Sequence, residues 1–266
     1  MPANPGLKRG KAMRSVDLNA DLGEGFGPWQ MGDDAAMLAL VTSASLACGG
    51  HAGDPETMFQ ALSEAKSRGV SIGAHPGYAD PQGFGRRVIP MEPAAIGRMV
   101  AAQTGSLQGL AALAGARVRF VKPHGALANL AAADAAVADA IARAVADLPG
   151  GLAILAISGT QLEAAAHARG VQVFSEIFAD RGYLPDGQLM PRGQAGAVLS
   201  DATEITERLT RFIESGQMPV AGGGSIALTA HSICLHGDTP GAVSHAKAVR
   251  AGLAEAGVRI APFLPV

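Results

Sequence analysis

Aromatic side chains are scarce, at 4% of 266 residues, with one tryptophan and two tyrosines. A core for this chain must be packed mainly with Ala, Leu, Val and Ile. The scarcity also excludes an aromatic–basic ladder for stacking single-stranded bases. Cysteine is nearly absent. Cys48 and Cys234 give neither a disulfide framework nor zinc-finger spacing. Each lies in an apolar run, which reads as a buried reduced thiol and points to the cytoplasm. Charge is sparse as well, 17% of residues with a net charge of -2. No Lys/Arg block is long enough to hold nucleic acid, and no apolar run is long enough to span a membrane. The basic start Lys8-Arg9-Gly10-Lys11 leads to Asp17 and Asp21 rather than to an apolar segment, so it is not a signal peptide. Residues 1–12 read as an unstructured leader, with Met13 a candidate start, and residues 13–266 as one domain.

What is present is a repeating pattern. Short apolar runs at Ser15-Ala20, Ser43-Ala47, Val70-Ala74, Val118-Lys122, Leu152-Ile157, Val171-Ser175 and Ser232-Leu235 alternate with alanine-rich stretches of helical length. Helix starts are legible at Asp54-Pro55-Glu56, at Asp201 with Glu204, and at Thr239-Pro240. Alternating βα units predict a parallel sheet covered by helices, and about seven of them favour a closed barrel over an open sheet. Residues 217–231 read as a β excursion with a glycine turn. Gly222-Gly223-Gly224-Ser225 has no Walker lysine and opens no helix.

Polar residues gather at the strand ends, which in such a barrel converge on one mouth. A period of two puts Asp17, Asn19 and Asp21 on one face of the first strand, with Glu24 just beyond. His51, His75, His124 and His236 each follow a strand and adjoin glycine or proline. Lys122 ends an apolar strand, where an unpaired lysine is rare. Arg86 and Arg87, in Gly83-Phe84-Gly85-Arg86-Arg87, offer cations on a flexible loop. Glu176, Asp180-Arg181 and Asp238 add further charge. Asp54 reads as a helix cap, His167 as a surface residue, and His245 as structural.

Two chemistries fit these residues. In the first, no metal is tightly bound; Lys122, Arg86 and Arg87 hold anionic groups, with His51 and Asn19 also binding. His124 or His75 moves protons, oriented by Asp21, Glu24 or Asp238. In the second, Asp17 or Asp21 with His51 and His75 holds a divalent metal that activates water. No compact metal motif supports the second, and the first is preferred.

The motifs resemble, in order and along almost the whole chain, those of the LamB/YcsF family. They are Asp17-Leu18-Asn19-Ala20-Asp21-Leu22-Gly23-Glu24, Ala47-Cys48-Gly49 with His51-Ala52-Gly53-Asp54-Pro55, and Ile72-Gly73-Ala74-His75-Pro76. Then come Gly83-Phe84-Gly85-Arg86-Arg87, Val121-Lys122-Pro123-His124-Gly125-Ala126-Leu127, Glu176-Ile177-Phe178-Ala179-Asp180-Arg181, Ser232-Ile233-Cys234 and His236-Gly237-Asp238. The resemblance implies a seven-stranded (β/α) barrel, TIM-barrel-like, of the glycoside hydrolase/deacetylase type. It implies the A subunit of an ATP-dependent 5-oxoprolinase, opening 5-oxo-L-proline to L-glutamate with ATP, accompanied by Mg²⁺, going to ADP and phosphate. The partners implied are 5-oxoprolinase subunits B and C; homo-oligomerisation is left open. Gly50 stands where the family usually has an aromatic and Ala128 where it usually has a tyrosine, which predicts a larger pocket or an altered lactam contact. The competing functions are a stand-alone metal-dependent amidase or deacetylase, and a non-catalytic substrate-binding subunit.

Overall fold

The computed structural model describes residues 15–237 and 241–266. The expected leader, the start at Met13, the helix start at Thr239-Pro240 and Asp238 lie outside them. The elements run β1 (Ser15–Leu22), α1 (Asp34–Leu38), β2 (Ser43–Ala47), α2 (Pro55–Ser67), β3 (Ser71–His75), α3 (Pro93–Ala114), β4 (Val118–Val121), α4 (Gly125–Ala133) and α5 (Ala135–Asp147). They continue with β5 (Ala153–Ile157), α6 (Gln161–Ala168), β6 (Val173–Phe178), α7 (Ala202–Ser215), β7 (Gln217–Pro219), β8 (Ser225–Ala227), β9 (Ser232–Leu235), α8 (Ala242–Glu255) and β10 (Arg259–Ile260).

Strands β1, β2, β3, β4, β5, β6 and β9 pair in parallel in that order, and β9 pairs back onto β1. The sheet is therefore a closed seven-stranded barrel. Its strands are the seven apolar runs of the sequence, with ends moved by a few residues. The two shifts that matter lie at the mouth: β1 runs on to Leu22, and β6 starts late and reaches Phe178, so Asp21 and Glu176 are strand residues. The β excursion is the antiparallel hairpin β7–β8, and β10 adds to the start of β1. No single helix among the described residues is long and apolar enough to cross a membrane.

Strands β2, β3, β5 and β9 are buried along their full length, as expected where helices cover one face of a parallel sheet and the barrel interior the other. Asp54 and Asp201 cap α2 and α7 as the sequence predicts. Asp134 caps α5 by accepting from Ala136 and Val137 N–H. The main core lies between sheet and helices. A second apolar cluster, Phe120, Ala153, Leu155 and Leu264 with Phe174 and Phe263 against them, is separate from it. Phe263 places its ring 5.0 Å from that of Phe120 and 4.7 Å from that of Phe174. Gly73 makes room for Phe120: a Cβ there would lie 2.2 Å from the ring. The Phe120 ring lies over Gly73, its register partner on the adjacent strand β3, and the missing side chain there admits it.

Candidate active site

Alternation along β1 sets three acidic or amide groups at three heights. Asp17 is lowest. Its carboxylate accepts from Thr42 Oγ1 (2.6 Å), Ser43 Oγ (2.7 Å) and the Ser232 hydroxyl. Burial pushes this carboxyl up to about 6, further than those three hydroxyls pull it down.

Asn19 comes next, and all of its polar atoms are engaged. Its amide donates to Glu176 Oε1 (2.9 Å) and Ser232 Oγ (2.7 Å) and its oxygen accepts from Lys122 Nζ (3.1 Å). Lys122 is the hub. Its ammonium lies 2.8 Å from Asp21 Oδ1 and 2.8 Å from Glu176 Oε1, and 3.2 Å from Cys234 Sγ. Burial works against these charges, yet Asp21 and Glu176 hold the lysine well above its usual range. Burial likewise opposes ionisation of Asp21, but His75 and Lys122 outweigh it and keep the carboxyl well below the usual carboxylate range. For Glu176 burial wins and the shift is upward. Burial also pushes up both thiols, Cys48 to about 12, so neither cysteine is a nucleophile.

Beside this hub stand three histidines. His75 Nδ1 donates to the Lys122 carbonyl (2.7 Å), and His124 Nε2 donates to the Phe84 carbonyl (2.8 Å); a carbonyl only accepts, so both ring tautomers are set. The remaining nitrogens, His75 Nε2 and His124 Nδ1, face one another at 3.0 Å. His75 Nε2 also lies 3.3 Å from Asp21 Oδ2. His51 stacks on His124 with ring centroids 3.5 Å apart, and its Nε2 is 3.0 Å from Glu24 Oε1. That same oxygen is 3.6 Å from His124 Nδ1. Burial, then the neighbouring imidazoles, hold His51 well below the ordinary histidine range; burial and His75 hold His124 down at about 3.

The loop expected to be flexible is packed onto these rings. Phe84 adopts a left-handed backbone (φ 52°), the one non-glycine residue among those described to do so, which aims its carbonyl at His124. A Cβ at Gly85 would lie 2.7 Å from His51 Cβ and 2.8 Å from His124 Cδ2.

A cavity of about 360 Å³ opens over this cluster, in the size range of small-metabolite sites. Asp21, Glu24, His75, Arg86, Lys122 and His124 all reach its wall. Other expected site residues do not. Asn19 braces the hub below, and His51 stands behind His124. Arg87 bonds Asp80, with Nε at 3.0 Å, and is not part of the wall. Lys122 is already shared between two carboxylates, which makes it an organiser of the site rather than a spare cation. Among the described residues Asp17 belongs to no metal set with the histidines, because it lies four residues below Asp21 on β1 and its oxygens are committed to the hydroxyls of Thr42, Ser43 and Ser232. The groups that do converge are Glu24, His51, His75 and His124, whose ligand atoms lie within 4.8 Å of one another.

Several wall features escaped the sequence reading. Arg192 sits in a Pro/Gly-flanked loop with no periodic signal; its guanidinium donates to His236 Nε2 (3.0 Å), while His236 Nδ1 contacts Asp180 (2.7 Å). Helices α4 and α6 both begin at the wall, at His124 and Thr160, and neither start has a side-chain cap bond. Of the two unusual residues, Ala128 lines the cavity and Gly50 does not. A Cβ at Gly50 would lie 2.5 Å from both Gln103 Oε1 and the Gly77 carbonyl. Gln103 occupies that space, accepting from Gly77 N–H (3.0 Å) and donating to its carbonyl (2.7 Å). The expectation that Gly50 enlarges the pocket is therefore corrected.

The LamB/YcsF family model matches residues 16–266. The chain belongs to the LamB/YcsF family. Within it, a curated relative from Nocardia farcinica, named as the A subunit of 5-oxoprolinase, is 52% identical over 249 residues, covering 94% of this chain and 99% of that one. A relative of the same name from Rhodopseudomonas palustris (strain BisA53) is 49% identical over 252 residues, covering 94% and 99%. The lactam utilization protein from Thermus thermophilus superposes with a TM-score of 0.87 at 40% identity, over 93% of this chain and 99% of that one. Beyond the LamB/YcsF family, the barrel fold extends to a putative cellobiose-phosphate cleavage protein from Enterococcus faecalis, TM-score 0.54 at 12% identity, covering 94% and 98%.

Proposed function

We propose that this chain is the A subunit of an ATP-dependent 5-oxoprolinase, working with subunits B and C to convert 5-oxo-L-proline, ATP and two waters into L-glutamate, ADP and phosphate. The observation that carries this reading is an ionised carboxylate, Asp21, held between Lys122 and His75 at the wall of a metabolite-sized cavity, in a chain of which 94% matches proteins of that name. A lactam is an unreactive amide, and phosphorylating its carbonyl oxygen activates the carbon. One water adds, the ring nitrogen departs to leave an acyl phosphate, and the second water hydrolyses that to the carboxylate and phosphate. The site's task is then to hold small anions, orient a water and return a proton to the departing ring nitrogen.

The wall has parts for each task. The start of α6 presents backbone N–H groups and the positive end of a helix dipole, whereas at α4 the Ala126 N–H is already taken by the Gly85 carbonyl. Arg86 and Arg192 add positive charge that suits the substrate carboxylate and phosphate oxygens. Asp21 is the proton acceptor for water, and the protonated carboxyl is the donor to the ring nitrogen. Replacing Asp21 with Asn should lower glutamate release by the complete enzyme about 10²- to 10⁴-fold, with ligand binding kept. Near-normal turnover would sink this assignment. Assaying this chain alone, subunits B and C alone, and all three together, each with and without ATP, tests the broader reading. Turnover confined to the full set with ATP is expected. The convergence of Glu24 with three histidines favours a second reading, a stand-alone amidase; ATP-independent turnover by this chain would select it.

A further inference from the structure

The histidine cluster has too many lone pairs for the protons available to it. His75 and His124 each spend one ring N–H on a backbone carbonyl, so in their neutral forms two bare nitrogens face each other at 3.0 Å. Two acceptors at that distance repel unless a cation lies with them. Glu24 Oε1 and His51 Nε2 lie beside them; the single ring proton of neutral His51 can serve Glu24, but no ring proton is left for the facing pair of His75 and His124.

The spacing suits something larger than a proton. Four ligands at zinc–nitrogen distances form a tetrahedron whose edges are about 3.4 Å. The separations here are 3.0 Å for Glu24–His51, 3.6 Å for Glu24–His124 and 3.0 Å for His124–His75, with every pair inside 4.8 Å. The carbonyl bonds of His75 and His124 are the outer partners that orient metal-bound imidazoles. The left-handed Phe84 backbone, which delivers one of them, is strain spent at this point.

We propose that Glu24 Oε1, His51 Nε2, His75 Nε2 and His124 Nδ1 form a site for one divalent transition-metal ion, of the zinc, cobalt or manganese class. Three imidazoles and one carboxylate select such ions over Mg²⁺ or Ca²⁺, which take oxygen donors. This replaces the set expected from the sequence, Asp17 or Asp21 with His51 and His75, and the preference for a metal-free site. Glu24, His75 and His124 reach the cavity wall while His51 lies behind it, so the ion faces substrate from one side, next to Asp21. Its chemistry there is Lewis-acid polarisation of a bound oxygen.

The test needs neither substrate nor the other subunits, so its outcome is separate from that of the 5-oxoprolinase reading. The full chain is stripped with chelator, then incubated with Zn²⁺, Co²⁺, Mn²⁺ or Mg²⁺, desalted and analysed for metal. About one equivalent of Zn²⁺ or Co²⁺ should remain, with visible ligand-field bands for Co²⁺, a raised Tm and no retention of Mg²⁺. His51→Gln and Glu24→Gln should each weaken binding by at least about tenfold, while His167→Gln, on the exposed face of α6, should not. Crystals of wild type soaked in Zn²⁺ should show an anomalous peak among the four atoms, which covers the case of variants that fail to fold. A folded wild-type chain that keeps far less than one equivalent, a peak elsewhere, or variants that bind as wild type does would each overturn the proposal.

Discussion

At the scale of single residues, the site is a problem in burying charge. Lys122 and Glu176 are buried, and Asp21 joins them at the cavity wall, an arrangement in which the buried charges hold only if their partners stay. Lys122→Met should leave the buried Glu176 carboxylate without its cation and cost about 3–5 kcal/mol, measured by urea unfolding. A loss under about 1 kcal/mol would mean that the network is wetter than its geometry says. Asp17 poses the opposite case, since its folded carboxyl, at about 6, lies above the unfolded value of 3.8. Between those values the folded state binds more protons. Asp17 thus contributes most below pH 3.8, and its contribution falls as pH rises through 6. Asp17→Asn should remove that decline, gaining on wild type by up to about 3 kcal/mol between about pH 4 and 7. A stability difference that stays flat with pH would show that its three hydroxyl donors keep Asp17 ionised.

At the scale of elements, the loops after β2 and β3 and helix α3 are locked together through Gln103. Its amide closes both polar groups of Gly77 and fills the space beside Gly50. An aromatic at position 50 therefore has no room here. Gly50→Phe should lower stability by about 2–3 kcal/mol through overpacking, and Gln103→Ala in the same chain should restore part of it. A Gly50→Phe protein melting with wild type would refute this. Gly50 and Gln103 act as one packing pair, which leaves Ala128 as the unusual residue that lines the cavity.

At the scale of the whole molecule, an aromatic cluster and the charged site lie at different levels of the barrel and meet at Leu155, which belongs to both. Phe120, Phe174, Phe263 and Leu264 form an apolar cluster with Leu155, while Asp21, Lys122 and the histidines stand where the strands end. Phe263→Ala should cost about 3 kcal/mol yet leave turnover by the assembled enzyme, at temperatures where the chain stays folded, within about twofold of wild type. A large loss of turnover without loss of stability would show that the two ends are coupled.

How much of this could be read from the chain depends on the range of the interaction. Strand positions, helix caps and the inward face of β1 are local, set by alternation, Asp capping and the bounds of apolar runs, and Asp54, Asp201 and all seven barrel strands stand close to where the sequence puts them. The gathering of His51, His75 and His124 at one mouth also follows, because each ends a parallel strand. Height within the barrel does not follow. A period of two names the face of Asp17, Asn19 and Asp21, but only the stagger that pairs Asp17 with Ser232, Asn19 with Ser43 and Asp21 with Ser45 decides which acid meets hydroxyls and which meets Lys122 and His75. For the same reason Glu24, not Asp17, joins the histidines. Arg192 reaches the site through a loop without periodicity, and Gln103 matters only because a glycine far along the chain leaves it space. Local pattern determined the elements and the chemistry they carry; tertiary register, which no local pattern encodes, decided which side chains share a charge.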